Sequence, residues 1–197
     1  MVLRGERVVL RPLEEGDFGR LVEIGAEPEV GRWWPDITQD HLAETAADDD
    51  VVALAVEHDG RVAGLIQFHE ENEPDFRHAG IDVFLATGCH GQGLGADAVR
   101  TLAGHLIENH GHHRITIDPA AANERAIRCY ERVGFRRVGI MRRYWRDPAV
   151  VADMLCRGEL SAHTGVLPSE RCVPYAPLFE RLERYGVRVR EEARLEV

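Results

Sequence analysis

Two short segments hold the residue types whose spacing points to chemistry. The first is His90-Gly91-Gln92-Gly93-Leu94-Gly95, followed by Ala96. It lies between a stretch that reads as a strand and one that reads as a helix. Glycine lacks a Cβ, so such a loop turns tightly and brings its backbone close to a ligand. The free N–H groups of the following helix's first turn then face that ligand, and the helix dipole favours an anion. A pyrophosphate is the natural occupant. A Walker loop is excluded, because the chain contains no lysine. The dinucleotide fingerprint fits poorly, because no acidic residue ends a strand about 20 residues further on. In the second segment, Asn123, Ile127 and Tyr130 stand at helical spacing and share one face. A tyrosine hydroxyl of pKa about 10 can donate to a departing thiolate of pKa about 8.5. Each segment alone also has a plain reading: the loop as a turn, Tyr130 as an amphipathic core residue. Their occurrence together gives both weight.

A scaffold must hold these segments. Residues 7–13 read as a strand, and 14–25 as an amphipathic helix. Glu27-Pro28 opens a short segment that ends in Trp33-Trp34-Pro35. Thr38 suits the cap of a helix over 39–49. Residues 51–57 and 61–69 are apolar, β-branched runs joined at His58-Asp59-Gly60, a hairpin signal. An acidic loop at 70–75 precedes a fourth strand over 77–86. Helix 95–109, a short strand at Ile115 and Ile117, helix 122–133, and strands over 135–145 and 150–157 complete the order. Such an order predicts an α/β chain: a mixed sheet flanked by helices. The pattern loosens beyond 157, where 174–185 reads as one further helix. The expected organisation is therefore one domain over 1–157 and an extension over 158–197, packed on that domain or forming a dimer contact.

Bulk properties narrow the class. The 197 residues are 44% hydrophobic and 29% charged, ordinary for a globular chain with a real core. No apolar run approaches a membrane span, and the N-terminus lacks an apolar signal core. Cysteines at 89, 129, 156 and 172 form no CxxC pair, which points to reduced thiols and a cytoplasmic location. The net charge of −10 disfavours nucleic acid as a partner and suits a cationic one, although acidity also simply maintains solubility.

Together the two segments resemble the GNAT family of N-acetyltransferases. That family carries a Gln/Arg-x-x-Gly-x-Gly/Ala loop after its fourth strand and a later helix with Asn-x-x-Ala-x-x-x-Tyr-x-x-x-Gly-Phe. The second pattern is complete in Asn123, Ala126, Tyr130, Gly134 and Phe135; in the first, His90 stands where the family has Gln or Arg. The likeness covers residues 6–157 and extends to the aminoglycoside 6′-N-acetyltransferases. It does so through Val30-Gly31-Arg32-Trp33-Trp34, Gly80-Ile81-Asp82-Val83-Phe84-Leu85-Ala86, and Asp118-Pro119 leading to the Asn123 helix. The acidic loop at 70–75 departs from those enzymes in length and in lacking tryptophan.

The resemblance implies acetyl-CoA as co-substrate, no metal, and a cationic small-molecule amine as acceptor. It implies Asp82 as general base or amine anchor and Tyr130 as the acid. It implies a cofactor site of Phe84, Leu85, Ala86, the loop from His90 to Ala96, Asn123, Ile127 and Tyr130. Trp34, Gln67, Asp82, Asp118 and Asp147 are the expected acceptor pocket. Strand alternation sets Asp82, Phe84 and Ala86 on one face, and Ile81, Val83 and Leu85 on the other. The expected assembly is a monomer or homodimer.

Several residues invite other readings. His110, His112 and His113 suggest zinc but lack ligand spacing, and a solvated turn is the expectation. Cys129 has no base fixed beside it and reads as a small buried residue. Asp48-Asp49-Asp50 and the 70–75 loop read as solvated or as attractors for a polycation. Two rival functions stand beside acetylation of an aminoglycoside. One is acyl transfer to a protein N-terminus, a lysine or a siderophore hydroxylamine. The other is a CoA-binding regulatory module without catalysis.

Overall fold

The computed structural model describes residues 1–140. The expected hairpin forms the middle of its sheet. β3 (Val51–His58) and β4 (Arg61–Glu71) join through Asp59 (φ 50°) and Gly60 (φ 71°). Two consecutive left-handed residues make the turn whose twist matches paired strands. β2 (Val9–Pro12) pairs with β3, and a two-residue strand that the sequence did not signal, β1 (Leu3–Arg4), pairs with β2. On the other side, β5 (His78–Leu85) runs antiparallel to β4, and β6 (Ile115–Thr116) runs parallel to β5. Among the described residues the sheet has six strands in sequence order, mixed as expected.

Helices form where apolar residues recur at helical spacing and a cap is available. α1 (Glu15–Gly25) begins where the Glu14 N–H donates to Asp17 Oδ2 at 3.0 Å. Asp17 is also held by both terminal nitrogens of Arg11, at 2.7 and 2.8 Å, which ties the helix start to β2. α2 (Pro28–Gly31) is a single turn, and α3 (Gln39–Ala47) is capped by Thr38 Oγ1, which accepts from the His41 N–H at 3.1 Å. α4 (Leu94–Glu108) follows the glycine loop, and α5 (Glu124–Val133) follows β6.

The two faces of β5 separate as alternation requires. Ile81 and Leu85 join Leu94, Ala98, Leu102 and Leu106 of α4 in one core. Phe84 and Ala86 join Phe18, Leu21 and Ile24 of α1, Val30 of α2 and Leu42 of α3 in the other. Each large side chain buried in these cores contributes about 1.5–3 kcal/mol, so β5 is fixed from both sides. Of the strand expected over 135–145, residues 135–140 have no strand pairing. Gly134, at φ 118°, terminates α5 and turns the chain back on it. The rest of that expected strand, the strand over 150–157, the helix over 174–185, Cys156, Cys172, Asp147 and the boundary at 157 lie outside the described residues. Met1–Val138 form one compact unit. The turn expected to be solvated at His110, His112 and His113 is only partly so, because His112 is 1% exposed.

Candidate active site

Among the described residues, β5 carries an open edge: it pairs with β4 along its length, but β6 meets it only at Ala79 and Gly80. The Ala86 N–H donates to the Ala63 carbonyl at 2.8 Å, on the β4 side. Antiparallel alternation then turns the backbone groups of Phe84 toward β4, and those of Val83 and Leu85 toward the open edge. The sequence reading centred on Phe84, Leu85 and Ala86; the ladder shifts the free groups to Val83 and Leu85. The side chains of Phe84, Leu85 and Ala86 are themselves buried in the two cores. An extended, amide-bearing ligand therefore has a strand edge to add to, and pantetheine has that shape.

The edge leads into the glycine cradle. The chain leaves β5 through a single tight turn, Thr87–Cys89, whose first N–H donates to Glu27 Oε2 at 2.6 Å. That bond holds the Glu27 carboxyl below its usual range, against the opposing effect of burial. Gly91 (φ 73°) and Gly93 (φ 84°) are both left-handed, and Gly93 opens α4 without a side-chain cap. The N–H groups of Leu94, Gly95 and Ala96 thus lack an intrahelical acceptor and face the loop's concavity. Leu94 offers only its backbone there, since its side chain is fully buried in the core.

Other groups of the loop brace it. Gln92 Nε2 donates to the Gly88 carbonyl at 2.6 Å. His90 Nε2 donates to the Leu85 carbonyl at 2.8 Å, and its Nδ1 is buried without a partner. Burial pulls the His90 imidazole below its usual pKa, more than the Leu85 bond raises it. His90 is therefore a neutral support for the turn at pH 7 and brings no positive charge. A cation comes from Arg7, which no local pattern in the sequence marks. Its Nη1 donates to the Gln92 carbonyl, beside Gly93. The buried Asp97 carboxylate positions this segment by accepting from the N–H groups of Glu6, Arg7 and Val8 at 3.1, 2.8 and 3.1 Å.

Changing Gly93 to Ala tests the cradle. A Cβ there has room, its nearest neighbour being Arg7 Nη1 at 3.8 Å, so the left-handed φ is the obstacle. Strain of about 1–2 kcal/mol will distort the loop. The expected result is a KM for acetyl-CoA raised about 10-fold, with kcat at saturating acetyl-CoA little changed. Steady-state kinetics at varied acetyl-CoA separates the two.

The second segment presents the phenol. Asn123 is the cap of α5 and not part of its face: its Oδ1 accepts from the Ala126 N–H at 3.2 Å, leaving the amide nitrogen for a ligand. At the other end the Phe135 N–H donates to the Tyr130 carbonyl at 3.1 Å, and the Gly134 N–H to Glu131 at 3.2 Å. These are the two bonds of a Schellman motif, and its apolar contact is Tyr130 against Phe135, ring centroids 6.4 Å apart. The Gly-Phe pair after the helix thus fixes the tyrosine ring. Burial, then Cys129, Asp82 and Asp118, push the Tyr130 phenol well above its usual pKa.

Of the expected acceptor residues, Gln67, Asp82 and Trp34 lie on the face of β5 that bears Phe84. Gln67 stands opposite Asp82 in the ladder, its Nε2 3.5 Å from Asp82 Oδ2. Trp34 packs at 5.0 Å from the Phe84 ring. Burial raises the Asp82 carboxyl above its usual pKa; Gln67 opposes this, Asp118 reinforces it and His69 opposes it. Asp118 is exposed yet close enough to act on both Asp82 and Tyr130. Ile127 is half-buried on the α5 face with Tyr130. His69 was not singled out from the sequence, but its ring lies directly over Gly80, where a Cβ would come within 2.2 Å of it. Alternation from Gln67 was the available signal.

Comparison with known proteins agrees with this geometry. Residues 7–136 match the family described as Acetyltransferase (GNAT) domain. An aminoglycoside N(6′)-acetyltransferase type 1 of Klebsiella pneumoniae is 31% identical over 155 residues, spanning 68% of this chain and 76% of that protein. A kanamycin resistance protein of Rhizobium radiobacter is 44% identical over 73 residues, spanning 36% of this chain and 66% of that protein. Among solved structures, the aminoglycoside acetyltransferase AAC(6′)-Ib in complex with coenzyme A and kanamycin is 32% identical, with a TM-score of 0.60 over 68% of this chain and 87% of that one. The fold is thus shared with these acetyltransferases, and the chain belongs to the GNAT family of acetyltransferases.

Proposed function

We propose that the protein transfers the acetyl group of acetyl-CoA to a primary amine of a cationic small molecule, an aminoglycoside at its 6′-amino group. The observation that carries this reading is the convergence of Asp82, Asp118 and Tyr130 beside the open edge of β5. The likeness to aminoglycoside acetyltransferases supports the choice of acceptor.

Each residue's part follows from the chemistry. An amine of pKa about 10.4 lies roughly 4.6 kcal/mol from its free base at pH 7. Asp82 and Asp118 attract the ammonium, and Trp34 walls the pocket. Asp82 takes the proton, directly or through water, and the freed amine attacks the thioester carbonyl. A backbone N–H on the open edge, at Val83 or Leu85, stabilises the oxyanion that forms. As the oxyanion collapses and the C–S bond breaks, Tyr130 supplies a proton to the departing sulfur, and the second proton, shed by the new amide nitrogen, restores the phenol through water. Asp82 then passes its proton to solvent. The N–H groups of Leu94 to Ala96, with Arg7 beside them, hold the pyrophosphate.

A panel of amines tests the acceptor class by the CoA released. Turnover with aminoglycosides and neither peptides nor hydroxylamines is expected. Turnover confined to peptides or hydroxylamines contradicts the assignment, and acetyl-CoA binding without turnover on any amine indicates a regulatory module instead. No helix of the described residues is long and apolar enough to cross a membrane.

A further inference from the structure

A second set of reactive side chains gathers at the far end of α4, away from the glycine cradle. Glu70, near the end of β4, accepts on Oε1 from His110 Nδ1 at 2.9 Å and from His112 Nε2 at 2.5 Å. All three ligand-type atoms lie within 4.8 Å of one another. Glu70 shares the α4-facing side of β4 with Ile66 and Phe68, whereas Gln67 and Asp82 face the other side. The 15 residues of α4 separate this cluster from the cradle by roughly 22 Å.

The chain fixes the cluster rigidly. Gly111, at φ 72°, reverses the backbone after α4 so that the His112 N–H reaches the Leu106 carbonyl at 3.1 Å. The His112 side chain is thereby fully buried, with Nδ1 left without a partner. The His110 carbonyl accepts from Arg77 Nη2 at 2.7 Å. The His110 ring packs against His105 at 4.9 Å and edge-on against Phe68 at 5.8 Å. Glu70 and His110 remain 25% and 31% exposed, so the cluster opens to solvent on one side.

We propose that Glu70 Oε1, His110 Nδ1 and His112 Nε2 bind Zn²⁺ at a stabilising site separate from acetyl transfer. Two imidazoles and one carboxylate suit Zn²⁺, which takes such ligands at about 2.0–2.2 Å in tetrahedral array. Neighbouring ligand atoms then stand about 3.3 Å apart. The two contacts to Glu70 must open by less than about 1 Å, and the two imidazole nitrogens, within 4.8 Å of each other, must close to that spacing, changes made by torsion of the partly exposed Glu70 and His110 side chains. Water takes the fourth position on the solvent side. Coordination at His110 Nδ1 and His112 Nε2 leaves each ring's proton on the opposite nitrogen. At His110 that nitrogen is on a partly exposed ring. At His112 it meets no acceptor, which weakens affinity roughly 10–100-fold relative to a site with both rings supported. The ion would tie the end of β4 to the α4–β6 turn, and by binding only the folded chain it raises stability.

The test uses the full-length chain without a histidine tag, stripped with chelator. Titration with ZnCl₂ is expected to saturate at one ion per chain and to raise Tm by about 4 °C or more at 100-fold excess over Kd. Co²⁺ is expected to give the visible absorption of a four-coordinate site. Glu70→Gln and His110→Ala, at partly exposed positions outside the acetyl-transfer site, should abolish the Co²⁺ band and the Zn²⁺-induced shift while retaining acetyl transfer. Failure of the unaltered chain to bind one ion, or persistence of the band and the shift in both variants, overturns the proposal.

Discussion

Asp82→Asn is expected to lower kcat/KM for an aminoglycoside by about 100-fold or more, with the KM for acetyl-CoA nearly unchanged. The size follows from the contribution of a positioned general base, about 10²–10⁴. Asparagine keeps the shape and the contact with Gln67 but neither takes the proton nor attracts the ammonium. The same variant should fold at least as stably as the parent at neutral pH. Burial raises the Asp82 carboxyl above its reference value of 3.8. A raised carboxylate stabilises the folded state fully below the unfolded pKa and loses that contribution as pH rises through the folded one. At pH 7 the ionised Asp82 is therefore a liability, which asparagine removes. Thermal unfolding at pH 7 should show an equal or higher Tm for the variant, and the difference should shrink toward pH 4. Activity of the parent should rise with pH as Asp82 ionises, along a limb above the ordinary carboxylate range. Lost activity accompanied by a lowered Tm at pH 7 would point to a structural role for this carboxylate.

Tyr130→Phe is expected to lower kcat by about 10²-fold, with a smaller effect on the KM of either substrate. The ring contact with Phe135 survives the change, and so does the Schellman motif that ends α5, so stability should change little. The raised phenol pKa matters in two ways. It keeps the hydroxyl protonated across the working range, so loss of the tyrosine proton should produce no fall in activity below pH 10. It also makes the phenol a weaker acid than in water. Transfer remains feasible because the same low-dielectric site raises the basicity of the departing thiolate. The hydroxyl's gain is thus concentrated where charge develops on sulfur, and kcat reads it more than KM does. Pre-steady-state kinetics would separate a slowed chemical step from slowed product release.

Local signals in the sequence carried much of this. Asp59-Gly60 specified the hairpin, Thr38 the start of α3, and the glycines of 91–95 the cradle, because each depends on backbone preferences within a few residues. The faces that Tyr130 and Asp82 occupy were legible because helix and strand periods fix which side chains share a face, whereas the roles expected of them came from the family resemblance. What stayed hidden came from distant parts of the chain. Arg7 reaches the loop only because Asp97, 90 residues later, binds its N–H. Asn123 reads as one more residue of a helical face until the helix is seen to begin at Glu124. The free edge at Val83 and Leu85 depends on where β6 stops pairing, and the alternation of Ile115 and Ile117 does not show that pairing ends at Thr116. The histidines after α4 looked solvated because nothing local shows that Gly111 folds His112 inward to Glu70.

The most direct test of the proposed activity compares an aminoglycoside bearing a 6′-amine with its 6′-hydroxyl counterpart, otherwise the same molecule. CoA release is measured with each, and the product is mapped by NMR. The expected result is turnover with the amine alone and one acetyl group on the 6′ nitrogen. Equal turnover of both compounds, or acetyl found on another ring, would contradict the assignment of the 6′-amine to the pocket of Asp82, Asp118 and Trp34.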